Sequence, residues 1–439
     1  MIVVIVGGGP AGYSAAKAAA SVLPAGENEI HLFTESSDVG YCLGSLLLLF
    51  DGSVNIADTE SKGAEELAKM GVSVYTRTKV IGVTFQERYI LLEDGKRRYD
   101  RLIFAVGSGK RRRISLAGGS PDQVYELSSF EDGLRVASVL KSKAELIVLG
   151  TSYVGTEIAC VAPDNHAVTL VDSTPFLKMP GVVVDPDLEE QFRNALAKRG
   201  VRIIMGVPFG KIELDAKGMR IGNQFVGGNT VIDAKGGEKE DSLKFIRNSE
   251  LEFASGGLIK VGENMQTSIS SVFAAGTCTS YIDFMGFQTP SLGEAAAHIQ
   301  GWAAGLSAAG KETLVSPLVM PGLLVSKEFE LGTAGYSSLE ISREKGLDVV
   351  WSEVESHTRP SFHAIKHTVL VRLFFEKNTK RLLGGVLWGK DGVRERIGVL
   401  EAALRHGSTA KELASYEGAF LPSVNVAPDP ITLAARKIV

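Results

Sequence analysis

The chain has 439 residues, 44% hydrophobic and 22% charged, with a formal net charge of −4. That length exceeds what one hydrophobic core covers and implies about three domains, and the mildly acidic balance argues against nucleic acid or an anionic membrane as main partner. No apolar run reaches the roughly 18 residues of a membrane span, and Cys42, Cys160 and Cys278 are too few and too scattered for a disulfide framework or a zinc site.

Met1 to Val6 lacks a basic leader and passes directly into a glycine turn, so a structural strand is expected rather than a signal peptide, in a cytoplasmic protein. The run Ile2 to Val6, the turn Gly7-Gly8-Gly9-Pro10-Ala11-Gly12 and the Ala-rich stretch behind it give the strand, turn and helix of a dinucleotide fingerprint. Gly7 permits the tight turn, Gly9 lets backbone approach a pyrophosphate, and Gly12 lets helix pack on strand. The helix opened by Pro10 and Ala11 turns its amides and dipole toward phosphate charge. A second strand, Glu29 to Phe33, leads to Thr34 and Glu35. Glu35 is a candidate ribose ligand, against the alternative of a surface-turn glutamate.

Ser36 to Ser45 opens an apolar helix and places Cys42 near its N-terminus, where the dipole favours thiolate; the alternative is a packed structural cysteine. Asp100 to Ser108 reads as a buried strand ending in a turn at Gly107, followed by a basic connector, Lys110 to Arg113, that suits a crossover between nucleotide domains.

The second fingerprint is Gly150-Thr151-Ser152-Tyr153-Val154-Gly155, after the strand Leu146 to Leu149. Ser152 replaces the middle glycine and brings a hydroxyl that can donate to a pyrophosphate. The strand Ala167 to Val171 ends in Asp172, placed to take the adenosine ribose hydroxyls and disfavour a 2′-phosphate, so NADH is expected over NADPH. Cys160 follows in the helix as a small buried residue.

Thr230 to Gly236 repeats the strand-and-turn form of Asp100 to Ser108, and Phe273 to Cys278 contains a turn at Gly276 and Thr277. Pro290 to Glu294 opens another Ala-rich helix, which carries His298 on its surface and whose N-terminus suits negative charge on a reduced isoalloxazine. From about Val315 the pattern changes. Runs at Val369 to Phe375 and Leu382 to Trp388 flank a hairpin turn, a helix spans Val393 to Arg405, and Ser408-Thr409 caps the next. An antiparallel sheet with helices, forming a dimer interface, is expected. His363 and His367 lack an acidic third ligand, so no metal site is expected.

In this order the motifs resemble the flavin-dependent pyridine nucleotide-disulfide oxidoreductases over essentially the whole chain. The resemblance rests on VIVGGGPAG at 4–12, LIFAVGS at 102–108, IVLGTSYVGTE at 147–157 and MQTSISSVFAAGTC at 265–278, with LLGGVLWGKDGV and LPSVNVAPDP toward the C-terminus. The later elements look most like the branch of coenzyme A-disulfide reductases, NADH oxidases, NADH peroxidases and persulfide reductases. It implies an α/β fold with two Rossmann-like domains, for FAD and NAD, and a C-terminal α+β dimerisation domain. FAD would be held by residues 1–112 and 243–314, NAD by 113–242, and 315–439 would form the interface. The FAD contacts implied are Gly7, Gly9, Pro10, Ala11, Gly12, Glu35, Gly107, Gly276 and Thr277; those for NADH are Gly150, Ser152, Gly155 and Asp172, with Glu157 near the nicotinamide.

The resemblance also implies a homodimer in which Phe420, Leu421 and Pro422 line the other subunit's pocket, and hydride passage from NADH through flavin to a disulfide, persulfide, peroxide or oxygen. Two departures bear on chemistry. Thr277 stands where the family usually has an aspartate on the ribityl chain. Aligning on Tyr41 and Gly52 puts Gly44 at the redox cysteine's place, whereas chain position favours Cys42. Three readings stay open: Cys42 as nucleophile; thiol-free transfer to oxygen, a quinone or a small redox protein; and a flavoprotein that senses NADH without rapid turnover.

Overall fold

The computed structural model describes the chain except residues 25, 42, 56–61, 110–115, 119–122, 128, 141–143, 175–177, 180–181, 210–211, 216–217, 223, 236–241 and 248. Cys42 and the basic connector 110–113 thus lie outside the described residues.

The elements that carry the nucleotide motifs are, in chain order, β1 (Ile2–Val6), α1 (Pro10–Val22), β2 (Glu29–Phe33), α2 (Leu43–Asp51), β3 (Val72–Tyr75) and β4 (Arg101–Phe104). There follow β5 (Val124–Glu126), β6 (Glu145–Leu149), α3 (Tyr153–Val161), β7 (Ala167–Val171), α4 (Pro186–Lys198), β8 (Arg202–Ile204) and β9 (Thr230–Asp233). Then come β10 (Val272–Ala274) and α5 (Glu294–Ala308). The C-terminal region supplies β11 (Gly322–Val325), β12 (Glu330–Gly335), β13 (Val349–His357), β14 (Thr368–Glu376), β15 (Leu382–Gly389) and α6 (Arg394–Arg405).

The chain divides into two units. Met1–Arg113, Leu127–Ser138 and Gly237–Leu318 form the first, and Ile114–Glu126, Val139–Gly236 and Val319–Val439 the second. Leu127–Ser138, which the sequence reading puts in the second nucleotide domain, groups with the first unit.

In the first unit a parallel sheet runs in the order β10-β4-β1-β2-β3. Val3, Val4 and Ile5 have no exposed surface, as expected of a central parallel strand covered on both faces. Ala15, Ala16, Ala18 and Ala19 of α1 are equally buried, and their small side chains let α5 lie close against this helix.

The second unit repeats the plan with a parallel sheet ordered β8-β7-β6-β9-β5. Its antiparallel sheet, β11-β12-β15-β14-β13, includes the hairpin expected between β14 and β15, with Phe375 opposite Leu382. Two contacts bind this sheet to α4. Phe192 of α4 packs edge-on against Phe329 and Trp388, which stack on each other. Arg372 of β14, whose side chain is 6% exposed, pairs with Asp185 and Asp187 at the start of α4 and with Glu353 of β13. A guanidinium so buried is tolerable only because three carboxylates compensate it.

His363 and His367 lie in the loop between β13 and β14. Thr409 and Glu412 form a full capping box on the helix after α6, at the place the sequence signals.

Candidate active site

Both glycine fingerprints fold into the same turn. The Gly7 amide donates to the Phe33 carbonyl and the Gly150 amide to the Val171 carbonyl, each at 2.8 Å, so each turn is fastened to the neighbouring strand. Gly7 and Gly150 have φ of +112° and +98°, the region that favours glycine. A methyl on Gly12 would stand 1.8 Å from the Gly7 carbonyl oxygen, and one on Gly155 2.1 Å from that of Gly150. Helix and turn therefore touch backbone to backbone. Gly9 differs: among the described residues, nothing beyond its chain neighbours lies within 4 Å of the place a methyl would take. That open space, before the unpaired first amides of α1, fits a pyrophosphate.

Around the first turn the sequence candidates converge in part. Gly107, at φ +71°, has the Thr277 hydroxyl 3.9 Å from the position a methyl would take, so these two turns are neighbours. Ser242 donates to the Gly107 carbonyl at 2.7 Å. Glu35 follows β2 and forms an ion pair with Lys79 at 3.3 Å, its side chain 43% exposed. Tyr41 is half-buried; burial first, then the carboxylates of Asp132, Asp38 and Glu294, push its phenol up to about 12. The helix after Cys42 begins at Leu43, and Gly44 lies exposed in its first turn.

In the second turn both candidate side chains already have protein partners. The Ser152 hydroxyl donates to the Ala234 carbonyl and accepts from the Gly155 amide as N-cap of α3, so it is turned into the protein and not toward a pyrophosphate. Asp172 is 7% exposed, and its carboxylate accepts four hydrogen bonds of 2.5 to 3.0 Å, from the amides and hydroxyls of Thr151 and Thr174. A carboxylate offers about four acceptor positions. As it stands, Asp172 ties the Gly150 turn to the end of β7, and a ribose hydroxyl must displace one of those donors. Burial opposes its charge, but the hydrogen bonds outweigh burial and hold it below the usual carboxylate range.

Glu157 sits one helical turn after Tyr153, whose hydroxyl donates to the Leu323 carbonyl. Tyr153 has no role in the sequence reading, although this exposed aromatic at the start of α3 is signalled by its place in the fingerprint. Burial alone pushes Glu157 up to about 7. Its folded-state pKa lies above the ordinary 4.5, so its contribution to stability is complete below that value and lost as pH rises through about 7. Glu157→Gln is therefore expected to stabilise the nucleotide-free protein by on the order of 1–3 kcal/mol at pH about 8, a gain that shrinks as pH falls toward about 4.5. Denaturant unfolding of both proteins across that range measures it; a gain independent of pH would exclude this carboxyl as the titrating group.

Cys160 and Cys278 are fully buried free thiols. Burial raises both, Cys278 to about 11, which leaves neither reactive. His298 shares a 2.7 Å hydrogen bond with Ser14 and so ties α5 to α1. Among the described residues, no group of three metal-ligating side chains gathers, and no helix is long and apolar enough to cross a membrane. A groove of about 980 Å³ in the second unit is lined by residues such as Arg199, His367 and Trp388, none of them in a glycine turn.

Two parallel sheets, each ending in a phosphate-type glycine turn, and a C-terminal antiparallel sheet define a two-nucleotide redox enzyme. The chain belongs to the pyridine nucleotide-disulphide oxidoreductase family, whose sequence profile matches residues 1–300 and whose dimerisation domain matches residues 321–427. It is accordingly an NAD(P)H-dependent flavoprotein oxidoreductase. It is similar to an NADH oxidase of Methanocaldococcus jannaschii, 25% identical over 99% of this chain and 98% of the other. An NAD(P)H coenzyme A polysulfide/persulfide reductase of Pyrococcus horikoshii is 26% identical over 99% of this chain and 97% of the other. The water-forming NADH oxidase from Lactobacillus brevis has the same fold, with a TM-score of 0.89 at 21% identity over 100% of this chain and 98% of the other.

Proposed function

We propose that this protein takes hydride from NADH, in preference to NADPH, through FAD and reduces a small disulfide, persulfide or polysulfide, peroxide or oxygen, with Cys42 as the thiol. The repeated turn geometry carries this reading: two sites of one construction, each with a glycine turn fixed to its neighbouring strand. Residues 1–112 and 243–314 hold FAD, through Gly7, Gly9, Pro10, Ala11, Gly12, Glu35, Gly107, Gly276 and Thr277. Residues 113–242 hold NADH, through Gly150, the backbone of Ser152, Gly155 and Asp172. Bound FAD accepts a hydride equivalent and releases electrons singly or in pairs.

The chain's own part is to bind, orient and tune. The first amides of α1 and α3 neutralise pyrophosphate charge, and Glu157, poised near neutrality by burial, orients the nicotinamide. Residues 315–439 form the interface of a cytoplasmic homodimer. Phe362, Ile365, Phe420, Leu421 and Val424 are each more than half exposed, at 79, 62, 51, 56 and 54%, and a subunit partner would cover them.

The carboxylates around Tyr41 make a further anion nearby costly. That observation favours the second reading, in which electrons leave without a thiol for oxygen, a quinone or a small redox protein. An anaerobic titration tests the shared part. NADH is expected to bleach the visible flavin absorbance stoichiometrically, with NADPH at least about tenfold less effective; absorbance unmoved by either nucleotide would refute the proposal.

A further inference from the structure

Helix α5 touches two of the proposed flavin turns at once, and it does so through neighbouring residues. Gln300 has no exposed surface although it lies in an alanine- and glycine-rich helix. Its Oε1 accepts from the Gly276 amide at 3.0 Å, and its Nε2 donates to the Ser291 hydroxyl at 2.9 Å. Thr279 closes the loop: its hydroxyl donates to the Gly276 carbonyl at 2.8 Å and lies 3.0 Å from the Ser291 hydroxyl. A buried amide is costly unless satisfied, and here its hydrogen bonds converge on one turn.

The next residue faces the other way. A methyl on Gly301 would stand 2.1 Å from the Ala11 carbonyl oxygen, and one on Gly305 2.2 Å from that of Ala15, so α5 lies on the α1 backbone itself. Gly276, at φ +79°, would bring a methyl 2.9 Å from the Ala11 side chain. Ala11, Gly276 and Gly301 thus form one contact, with Gln300 as its polar fastening.

We propose that Gln300 is a positioning residue for the flavin: it fixes the Gly276–Thr277 turn at a set distance from the Gly7–Gly12 turn. This rests on the reading that both turns hold FAD. The demand on position is sharper here because Thr277 offers no carboxylate to the cofactor. Gln300→Leu takes the acceptor from the Gly276 amide and one of two hydroxyl partners from Ser291, and a buried amide so orphaned shifts or strains the turn.

The test is FAD titration into full-length apoprotein, followed by flavin fluorescence, with melting temperatures of apo and FAD-loaded forms. Gln300→Leu is expected to weaken FAD binding at least about tenfold, so the loaded form loses more melting temperature than the apo form. Gln300→Glu keeps an acceptor for the Gly276 amide and is expected to recover most of the affinity. Ser291→Ala, a milder change, is expected to weaken FAD by a few-fold. Equal losses in the apo and loaded forms of Gln300→Leu would mean unchanged affinity and would overturn the proposal. Thr277→Glu separates the two claims: if a carboxylate at that turn leaves FAD affinity untouched, the turn does not face the flavin, and the underlying reading fails instead.

Discussion

Gly9→Ala yields a protein that folds as well as the parent but purifies with little flavin. The Gly9 backbone, at φ −71°, suits any residue, and among the described residues nothing beyond its chain neighbours stands within 4 Å of the added methyl. The methyl therefore costs the fold almost nothing and occupies space that a pyrophosphate needs, which is expected to weaken FAD binding by about tenfold or more. The ratio of visible flavin absorbance to protein absorbance reads this directly. Gly12→Ala is the contrast, because its methyl would stand 1.8 Å from the Gly7 carbonyl oxygen and must push α1 off β1. That variant loses flavin and stability together. Flavin retained by Gly9→Ala at the parent's stoichiometry would remove the first turn from the cofactor site.

Cys42→Ser divides the two routes for electrons out of the protein. A serine hydroxyl is a poor nucleophile at neutral pH where a thiolate is a good one. With the thiol route in use, NADH-driven reduction of a disulfide or persulfide is expected to fall by about 10³-fold or more, against little change in flavin bleaching by NADH. Measuring both in one preparation separates a lost nucleophile from a lost cofactor. Full disulfide reduction by the variant would sink the thiol route. A persistent, NADH-dependent uptake of oxygen beside lost disulfide reduction would show that both exits exist.

What could be read from residues alone divides by the range of the forces involved. Gly7, Gly12, Gly150 and Gly155 were legible because their requirement is local: a turn too tight for a side chain. β1, β2 and β7 span in the structure the residues that the sequence marks as strands. Asp172 was legible in position but not in bonding, since spacing says that a carboxylate ends β7 and nothing about Thr151 and Thr174 occupying its acceptors. The bonding of Ser152 is hidden for the same reason: its partner, Ala234, lies 82 residues on. Gln300 received no role because its contacts, at Gly276 and Ser291, come from segments folded back from elsewhere in the chain. The elevated carboxyl of Glu157 depends on burial, which no motif reports.

The first unit is assembled from three stretches of chain, the last beginning at Gly237. Its edge strand β10 pairs with β4, and α5 lies on α1, so early and late segments share one sheet and one helix contact. On the ribosome this has a direct meaning. The N-terminal strands emerge first but wait for α5, made more than 270 residues after α1, while the parallel sheet of the second unit, from β5 to β9, has already emerged. A nascent chain that usually folds domain by domain from its N-terminus is expected here to complete its later nucleotide fold first. Capture of flavin is then expected late in synthesis, and truncation before Glu294, which removes α5 whole, is expected to leave the first fingerprint intact in sequence and unable to bind flavin.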